Sequence, residues 1–307
     1  MLDRRHPVHG GTVAGVPGLI VVNPDAGSRP TETEVIRGAF VGHQVEPCAP
    51  GRLGEATAAA MSDDGRQLSF VGVAGGDGSV RAVAEHLVGT DIPLLVIPTG
   101  TRNHLAADLG IDSLERARRA ADHATVRRID VGRVNDQIFL NTFNLGIYPK
   151  LVELREQHGQ LPEPVANLVA AARQVHTAHR TRITIDDDDR LVWVVFVGNG
   201  CYGDGFGDLV ARESLDDGVL DIRVVRADGP MSRLGVAGTV LLGRLDRSPR
   251  IERSRATTLR LEPKEPVVRA ALDGEVVHLD APLEVRCDPR SLAVLVPPAD
   301  HSPSGGS

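Results

Sequence analysis

The chain has 307 residues, 41% of them hydrophobic and 24% charged, with a net charge of -7 at neutral pH. That length holds two domains or one large one with real cores. The acidic balance argues against bulk electrostatic attraction to nucleic acid or anionic membrane, and 3% aromatic residues leave no stacking platform for single-stranded nucleic acid.

Cys48, Cys201 and Cys287 are few, odd in number and form no CxxC, which predicts a reduced cytosolic chain without structural zinc. Met1 to Gly18 has no apolar segment typical of a signal peptide, and no run of about 18 apolar residues is present to span a membrane. Residues 1–17 and 301–307 read as disordered tails.

Taken in chain order, Leu19–Val22 is a short buried strand ended by the turn Asn23-Pro24-Asp25-Ala26-Gly27-Ser28. Helices are predicted at Glu32–Phe40 and Ala56–Met61, then a strand at 68–74, a helix at 79–88 and a strand at Pro93–Ile97. Pro98-Thr99-Gly100-Thr101 is a third turn at a strand end, before a helix from Asn103 to Leu109. Strands alternating with helices at this pitch predict βαβ units and a parallel sheet, and the loops 23–28, 75–79 and 98–103 fall on its ligand-binding edge.

From about residue 124 the pattern changes. Val126–Val134 and Gln137–Leu145 alternate around Asn135-Asp136, a hairpin signal. Residues 148–180 read as helix broken near Pro162 and Pro164; strands follow at 181–185, 191–197, 219–226, 251–261, 267–272, 275–279 and 282–287. A last strand, Leu292–Val296, fits either half. The second half thus reads as an antiparallel β domain with a few helices.

The stretch Gly75-Gly76-Asp77-Gly78-Ser79 lies between a strand and a helix, where glycine backbones can approach a phosphate that the helix N-terminus favours. A carboxylate within it suits a Mg²⁺ between Asp77 and phosphates. There is no GxxxxGK[ST] motif, which excludes a P-loop. Gly198-Asn199-Gly200-Cys201-Tyr202-Gly203 formally matches GxGxxG, but no helix can start cleanly after it, so it reads as a glycine-rich turn or bulge between strands. Asp186–Asp189 reads as a solvated hairpin tip. Asp216-Asp217-Gly218 is either a turn or, with nearby carbonyls, a hard-cation site. Leu272-Asp273-Gly274-Glu275 is either a plain hairpin turn or a pair of carboxylates presenting a general base. The histidines read as surface residues; only His176 and His179 share a helical face. Arg244, Arg247, Arg250, Arg253, Arg255 and Arg260, with Lys150, Arg155, Arg173, Arg180 and Arg182, form either solvated faces or a basic surface for anionic lipid headgroups.

Six segments occur in order: Val22–Gly27, Gly75–Ser79, Ile97–Asn103, Ile129–Arg133 with Phe139–Asn141, Leu215–Asp221 and Leu272–Glu275. Together they resemble the diacylglycerol kinase catalytic-domain family of soluble bacterial lipid kinases, related to sphingosine and ceramide kinases, from about Gly18 to Val296. The resemblance implies a doubly wound parallel-sheet α/β nucleotide domain at 18–124, to which strand 291–297 could return. It also implies an antiparallel β-sandwich lipid-substrate domain at 125–290 and an active site in the cleft between the two.

By the same resemblance ATP is lined by Asn23, Pro24, Gly27, Gly75, Gly76, Asp77, Gly78, Ser79, Thr99, Gly100, Thr101 and Asn103, with Asp130 supporting the site. Glu275 is the first choice of general base and Asp273 the second. Asp77 organises Mg²⁺ and the phosphates, and Asp217 with the carbonyls of Ser214 and Val219 matches a structural Mg²⁺ site. The partners implied are ATP and a lipid at the inner membrane surface, met by a peripheral cytoplasmic enzyme of phospholipid biosynthesis that could be a homodimer and does not bind nucleic acid. The chain departs from the family pattern at Ala26, where a serine is usual, at the absent lysine after Gly27 (Arg29 is near), and at His104, where an aspartate is usual. An NAD-kinase-like enzyme with a soluble substrate and a regulator that binds nucleotide or lipid without catalysis are the rival readings.

Overall fold

The computed structural model describes residues 16–27, 33–63, 67–123, 125–146, 180–203, 212–227 and 251–298. The chain divides into two compact units, Met1–Ile129 with Ser291–Ser307, and Asp130–Arg290. The helix expected at 148–180, the histidines of its last turns, and Lys150, Arg155, Arg173, Arg244, Arg247 and Arg250 lie outside the described residues.

The first unit is built on a parallel sheet of β1 (Leu19–Val22), β2 (Gln44–Pro47), β3 (Val71–Gly75), β4 (Leu94–Pro98) and the last part of β15 (Leu283–Val296). The order is β2-β1-β3-β4-β15, with Leu19 beside Val71 and Gln44, Val71 beside Leu94, and Leu94 beside Val294. β1 and β3 are buried along their whole length, as apolar runs in a sheet covered on both faces should be.

The helices α1 (Thr33–Ala39), α2 (Leu53–Met61), α3 (Asp77–Leu87), α4 (His104–Asp108) and α5 (Leu114–Asp122) connect these strands. Two elements were not foreseen. β2 is too short and polar to stand out, and α5 buries only Ala117, Ala120 and Ala121. α5 is held locally instead: the Ser113 hydroxyl accepts the Arg116 N–H, and Arg119–Glu115 and Arg118–Asp122 pair one turn apart.

α3 begins at Asp77, two residues earlier than the sequence suggested, because Gly76 is extended at the N-cap and an acidic residue suits the first helical turn. The three strand-end turns approach one another backbone to backbone. A Cβ on Gly100 would stand 2.4 Å from Gly76 Cα, and one on Gly27 (φ +81°) 2.4 Å from the Thr99 carbonyl oxygen. Only glycine allows this approach.

The second unit is antiparallel. β9 (Asp188–Asn199) carries β10 (Leu220–Arg226) along one edge; β7 (Thr142–Gly146) and β8 (Thr181–Ile185) share the other. β13 (Val267–Leu272) and β14 (Glu275–Asp280) extend from β7. β12 (Thr258–Pro263) joins β8 to the first part of β15, β11 (Ile251–Ala256) flanks β10, and β5 (Thr125–Val134) pairs with β6 (Gln137–Phe139) and β15. Phe139, Phe143, Val195, Val197, Ile222, Leu261, Leu272 and Val285 are among the residues of its core.

Three single runs in the sequence resolve differently. The strand expected at 251–261 is two strands, which break at Thr257 and pair with different partners. The strand expected at 137–145 is β6 and β7, separated by a bend at Leu140–Asn141. The runs 282–287 and 292–296 are one 14-residue strand, β15. Asp186 and Asp187 form a tight hairpin turn at φ +45° and +71°. Arg260 pairs with Glu262 and Glu284, and Arg182 with Asp189, so these two arginines belong to solvated ion pairs.

Two stability predictions follow from the first unit. Gly100→Ala should cost about 1–3 kcal/mol in denaturant unfolding, because neither backbone can yield at the Gly76 contact; unchanged stability would show that the turns tolerate separation. His43 accepts the Gly18 N–H on Nδ1 at 2.9 Å and packs against Phe70. Burial pushes its imidazole below the usual range, opposed by Asp122. The unfolded chain then binds the proton more readily, so this stabilisation is complete above about pH 6.5 and is lost as pH falls through the window below it. His43→Gln should flatten the fall of the urea midpoint between about pH 7 and pH 5; an identical slope in the variant would remove His43 from this role.

Candidate active site

The turn cluster of the first unit is held by its own side chains. The Asn23 side-chain amide, 7% exposed, donates to Ser79 Oγ at 2.9 Å, and its Oδ1 accepts the Asp25 N–H at 3.1 Å. Asn103, at φ +50°, closes the third turn: Oδ1 accepts the Gly100 N–H at 3.0 Å and Nδ2 donates to the Gly100 carbonyl at 2.7 Å. Asp77 Oδ1 accepts the His104 N–H at 2.9 Å, and its Oδ2 lies 3.3 Å from His104 Nδ1. The carboxylate of α3 therefore anchors the start of α4, and the imidazole that departs from the family pattern directs Nδ1 at that same carboxylate.

With Asn23 and Asn103 engaged inside the scaffold, what remains for a ligand is largely backbone. No side chain caps the start of α3, whose first N–H groups have no carbonyl partner one turn back. Those groups, with the local positive end of the helix, suit an anionic oxygen. Pro24, Gly27, Gly75, Gly78, Thr99 and Thr101 lie in or beside the same three turns. Ser28 and Arg29 lie outside the described residues.

The second unit has a separate cluster around one corner of its sheet. Asp130, 1% exposed, accepts the Gly218 N–H at 2.6 Å and the Arg290 N–H at 2.8 Å, tying β5 to the 214–218 turn and to the left-handed kink in β15. Burial pushes its carboxyl above the usual range, the N–H groups of Arg290 and Gly218 pull it down, and Asp217 and Asp216 push it up again. Asp217 Oδ2 accepts the Cys201 N–H at 3.3 Å, and Ser214 Oγ donates to Asp216 at 3.2 Å. The Val219 carbonyl accepts the Gly200 N–H. A Cβ on Gly200 (φ +87°) would come within 2.7 Å of the Ser214 carbonyl oxygen and 3.7 Å of Asp217 Oδ1, so these two oxygens face a common space that only a glycine leaves open.

Sequence reasoning passed over the residues that support this corner. Asn199, fully buried, donates to the carbonyls of Asp130 and Leu140, and Arg212 donates to the carbonyls of Leu140 and Asn199 and to Asn141 Oδ1. Tyr202 donates to the Asn141 carbonyl at 2.9 Å. The signal for Asn199 was its place between two glycines at a strand end; nothing local marks Arg212. Burial and nearby carboxylates push the Cys201 thiol up to about 11 and the Cys287 thiol up to about 12, so both are protonated, unreactive core groups at neutral pH.

Asp273 is the first of the two turn residues between β13 and β14, and Glu275 follows the turn. The Asp273 side chain is turned onto the chain at Leu140–Thr142, whereas Glu275, the first residue of β14 and opposite Leu272, is exposed. Among the described residues no group of three or more His, Cys, Asp or Glu side chains is disposed to hold a metal ion, so a cation here would need carbonyl oxygens or water beside one or two carboxylates. Among the described residues no helix is long and apolar enough to cross a membrane.

Two family models match the chain in succession. The family model of the diacylglycerol kinase catalytic domain matches residues 17–134, and that of the YegS C-terminal NAD kinase beta sandwich-like domain matches residues 150–296. A diacylglycerol kinase of Bacillus subtilis is 29% identical over 250 residues, 76% of this chain and 80% of that protein. A probable YegS-like lipid kinase of Pseudomonas aeruginosa is 30% identical over 221 residues, 69% of this chain and 70% of that protein. An uncharacterized Synechocystis protein is 28% identical over 250 residues, which span 56% of its length. The crystal structure of a putative diacylglycerol kinase from Bacillus anthracis superposes with a TM-score of 0.67 at 23% identity, covering 92% of this chain and 98% of that one, and shares the fold. On the two domain matches and the Pseudomonas relative together, the chain belongs to the diacylglycerol kinase catalytic-domain family.

Proposed function

We propose that the protein is an ATP- and Mg²⁺-dependent lipid kinase acting on the hydroxyl of a diacylglycerol-like lipid at the membrane surface. The observation that carries this reading is the uncapped start of α3 at Gly76–Asp77, pressed against the glycine turn at Gly100, which the Gly27 turn meets at Thr99; such a start suits the phosphates of a nucleotide. In it, residues 18–124 form the nucleotide domain and 125–290 the lipid-substrate domain. The nucleotide is lined by the turns at Asn23–Gly27, Gly75–Ser79 and Thr99–Asn103, and Asn23 and Asn103 act chiefly by shaping them. Asp130 braces the 214–218 turn.

Glu275 takes the proton of the lipid hydroxyl, whose oxygen attacks the γ-phosphorus in line as the bond to ADP breaks. Positioning and charge neutralisation supply most of the acceleration in such transfers. The oxygens of Asp217, Ser214 and Val219 are the hard donors that Mg²⁺ prefers, and Asp77 would act on the phosphates through Mg²⁺. When bound, the metal supplies positive charge against the phosphoryl oxygens.

His104 against Asp77 favours a second reading, a nucleotide-binding regulator without transfer, because an imidazole there satisfies a carboxylate that the family pattern leaves to other charges. An NAD-kinase-like activity is the third. Phosphate transfer from labelled ATP to a panel of hydroxylated lipids in mixed micelles, and to NAD in their absence, with and without Mg²⁺, separates the three. Label on a lipid only when Mg²⁺ is present is expected; label on NAD alone, or none from protein that binds ATP, would overturn the lipid-kinase reading. Glu275→Gln and Asp77→Asn should each lower turnover by about 10²-fold or more with an unchanged circular dichroism spectrum. Full activity in either variant would withdraw the role given to that residue.

A further inference from the structure

Asp273 and Gly274 are the two central residues of the β13–β14 hairpin, at φ +51° and +87°. An Asp-Gly pair suits a two-residue turn with both positions left-handed, but Asn-Gly would serve as well. The Asp273 side chain has a task that the turn does not require. Three consecutive backbone N–H groups donate to it: Leu140 to Oδ2 at 2.8 Å, Asn141 to Oδ1 at 2.7 Å and Thr142 to Oδ1 at 3.0 Å. The Asp273 N–H donates in return to the Thr142 carbonyl at 2.9 Å. The bend that receives this carboxylate separates β6 from β7, so the contact explains why that run of sequence does not form one strand.

A carboxylate is the side chain of this length that can accept from all three groups, since both of its oxygens are acceptors only. An amide would set its NH₂ against the Leu140 N–H. The same geometry bears on proton transfer. A general base takes a proton on an oxygen that substrate can reach. Each oxygen of Asp273 already has a backbone N–H directed at it, and an added proton would oppose one of those bonds. Glu275 lies two residues on, opposite Leu272 at the start of β14, with its side chain exposed.

We infer that Asp273 is a positioning residue: its carboxylate clamps the 140–142 bend to the hairpin that carries Glu275, and Glu275 alone accepts the proton. The catalytic half of this inference rests on the lipid-kinase reading; the clamp itself does not.

The test combines amide hydrogen exchange with the pH dependence of kcat/KM in wild type, Asp273→Asn and Glu275→Gln. In wild type the Leu140 and Asn141 amides, which lie between strands, should exchange slowly. In Asp273→Asn their exchange should accelerate about tenfold or more. That variant should lose about 10- to 100-fold in kcat through misplacement of the base while keeping the acidic limb of the wild-type pH profile. Glu275→Gln should leave exchange at 140–142 unchanged and lose that limb. Unprotected Leu140 and Asn141 amides in wild type would overturn the clamp, even if neither variant folds. Loss of the acidic limb in Asp273→Asn would make Asp273 the base and overturn the assignment. If wild type transfers no phosphate to any lipid, the kinase reading fails, and the exchange data still decide the clamp.

Discussion

Asp77, Asp130 and Asp273 each set a carboxylate against one to three backbone N–H groups from other stretches of chain, and the turns of both units depend on those contacts. Asp77 takes the N–H that opens α4, Asp130 takes those of Gly218 and Arg290, and Asp273 takes three from the bend at 140–142. Loops cannot satisfy their amides by a regular ladder, and a buried amide without a partner costs about as much as a lost hydrogen bond. A short acidic side chain answers several such amides at one point, and each bond to it is stronger than one between neutral groups. The cost is a charge removed from water. At Asp130 that cost shows directly, because burial raises the carboxyl despite two N–H donors.

This arrangement divides the acidic residues by what they can do. A carboxylate whose oxygens are committed to backbone is a poor carrier of protons and a good fastener. Glu275, on the same hairpin as Asp273, stands at an exposed strand end instead. The same division runs through the amides of the glycine turns. Asn23 and Asn103 are satisfied within the scaffold, whereas the N–H groups that open α3 take no side-chain cap from Gly76. Family motifs of this kind therefore mix residues that shape a site with residues that touch a ligand, and hydrogen-bond partners tell them apart.

His104 is the departure that matters most to chemistry. Its backbone N–H and its imidazole both lie on Asp77, so one residue caps the turn and replaces a carboxylate with a group that carries at most positive charge. The neighbourhood of Asp77 thereby has one negative charge fewer than an aspartate at that position would give it.

Much of the first unit was legible in the sequence because its signals are local. Leu19–Val22 and Pro93–Ile97 are short apolar runs that only a covered parallel sheet can use, and the glycines of Gly75–Ser79 mark the passage from a strand to a helix. The Asp-Gly at 273–274 and the Asp pair at 186–187 likewise mark hairpins, since few residues tolerate a left-handed backbone. α5 was not legible, because an alanine face gives little hydrophobic contrast, and neither was β2, a polar edge strand. The division of 137–145 into two strands and of 251–261 into two strands was decided by tertiary contacts: an aspartate more than 130 residues away in the first case, and different strand partners in the second. The sequence by itself determined which residues could turn, bury or ionise, because those are properties of single side chains and their neighbours. Only the tertiary structure decided which carboxylates are spent on backbone and which stay exposed, because that depends on where N–H groups from remote segments come to point.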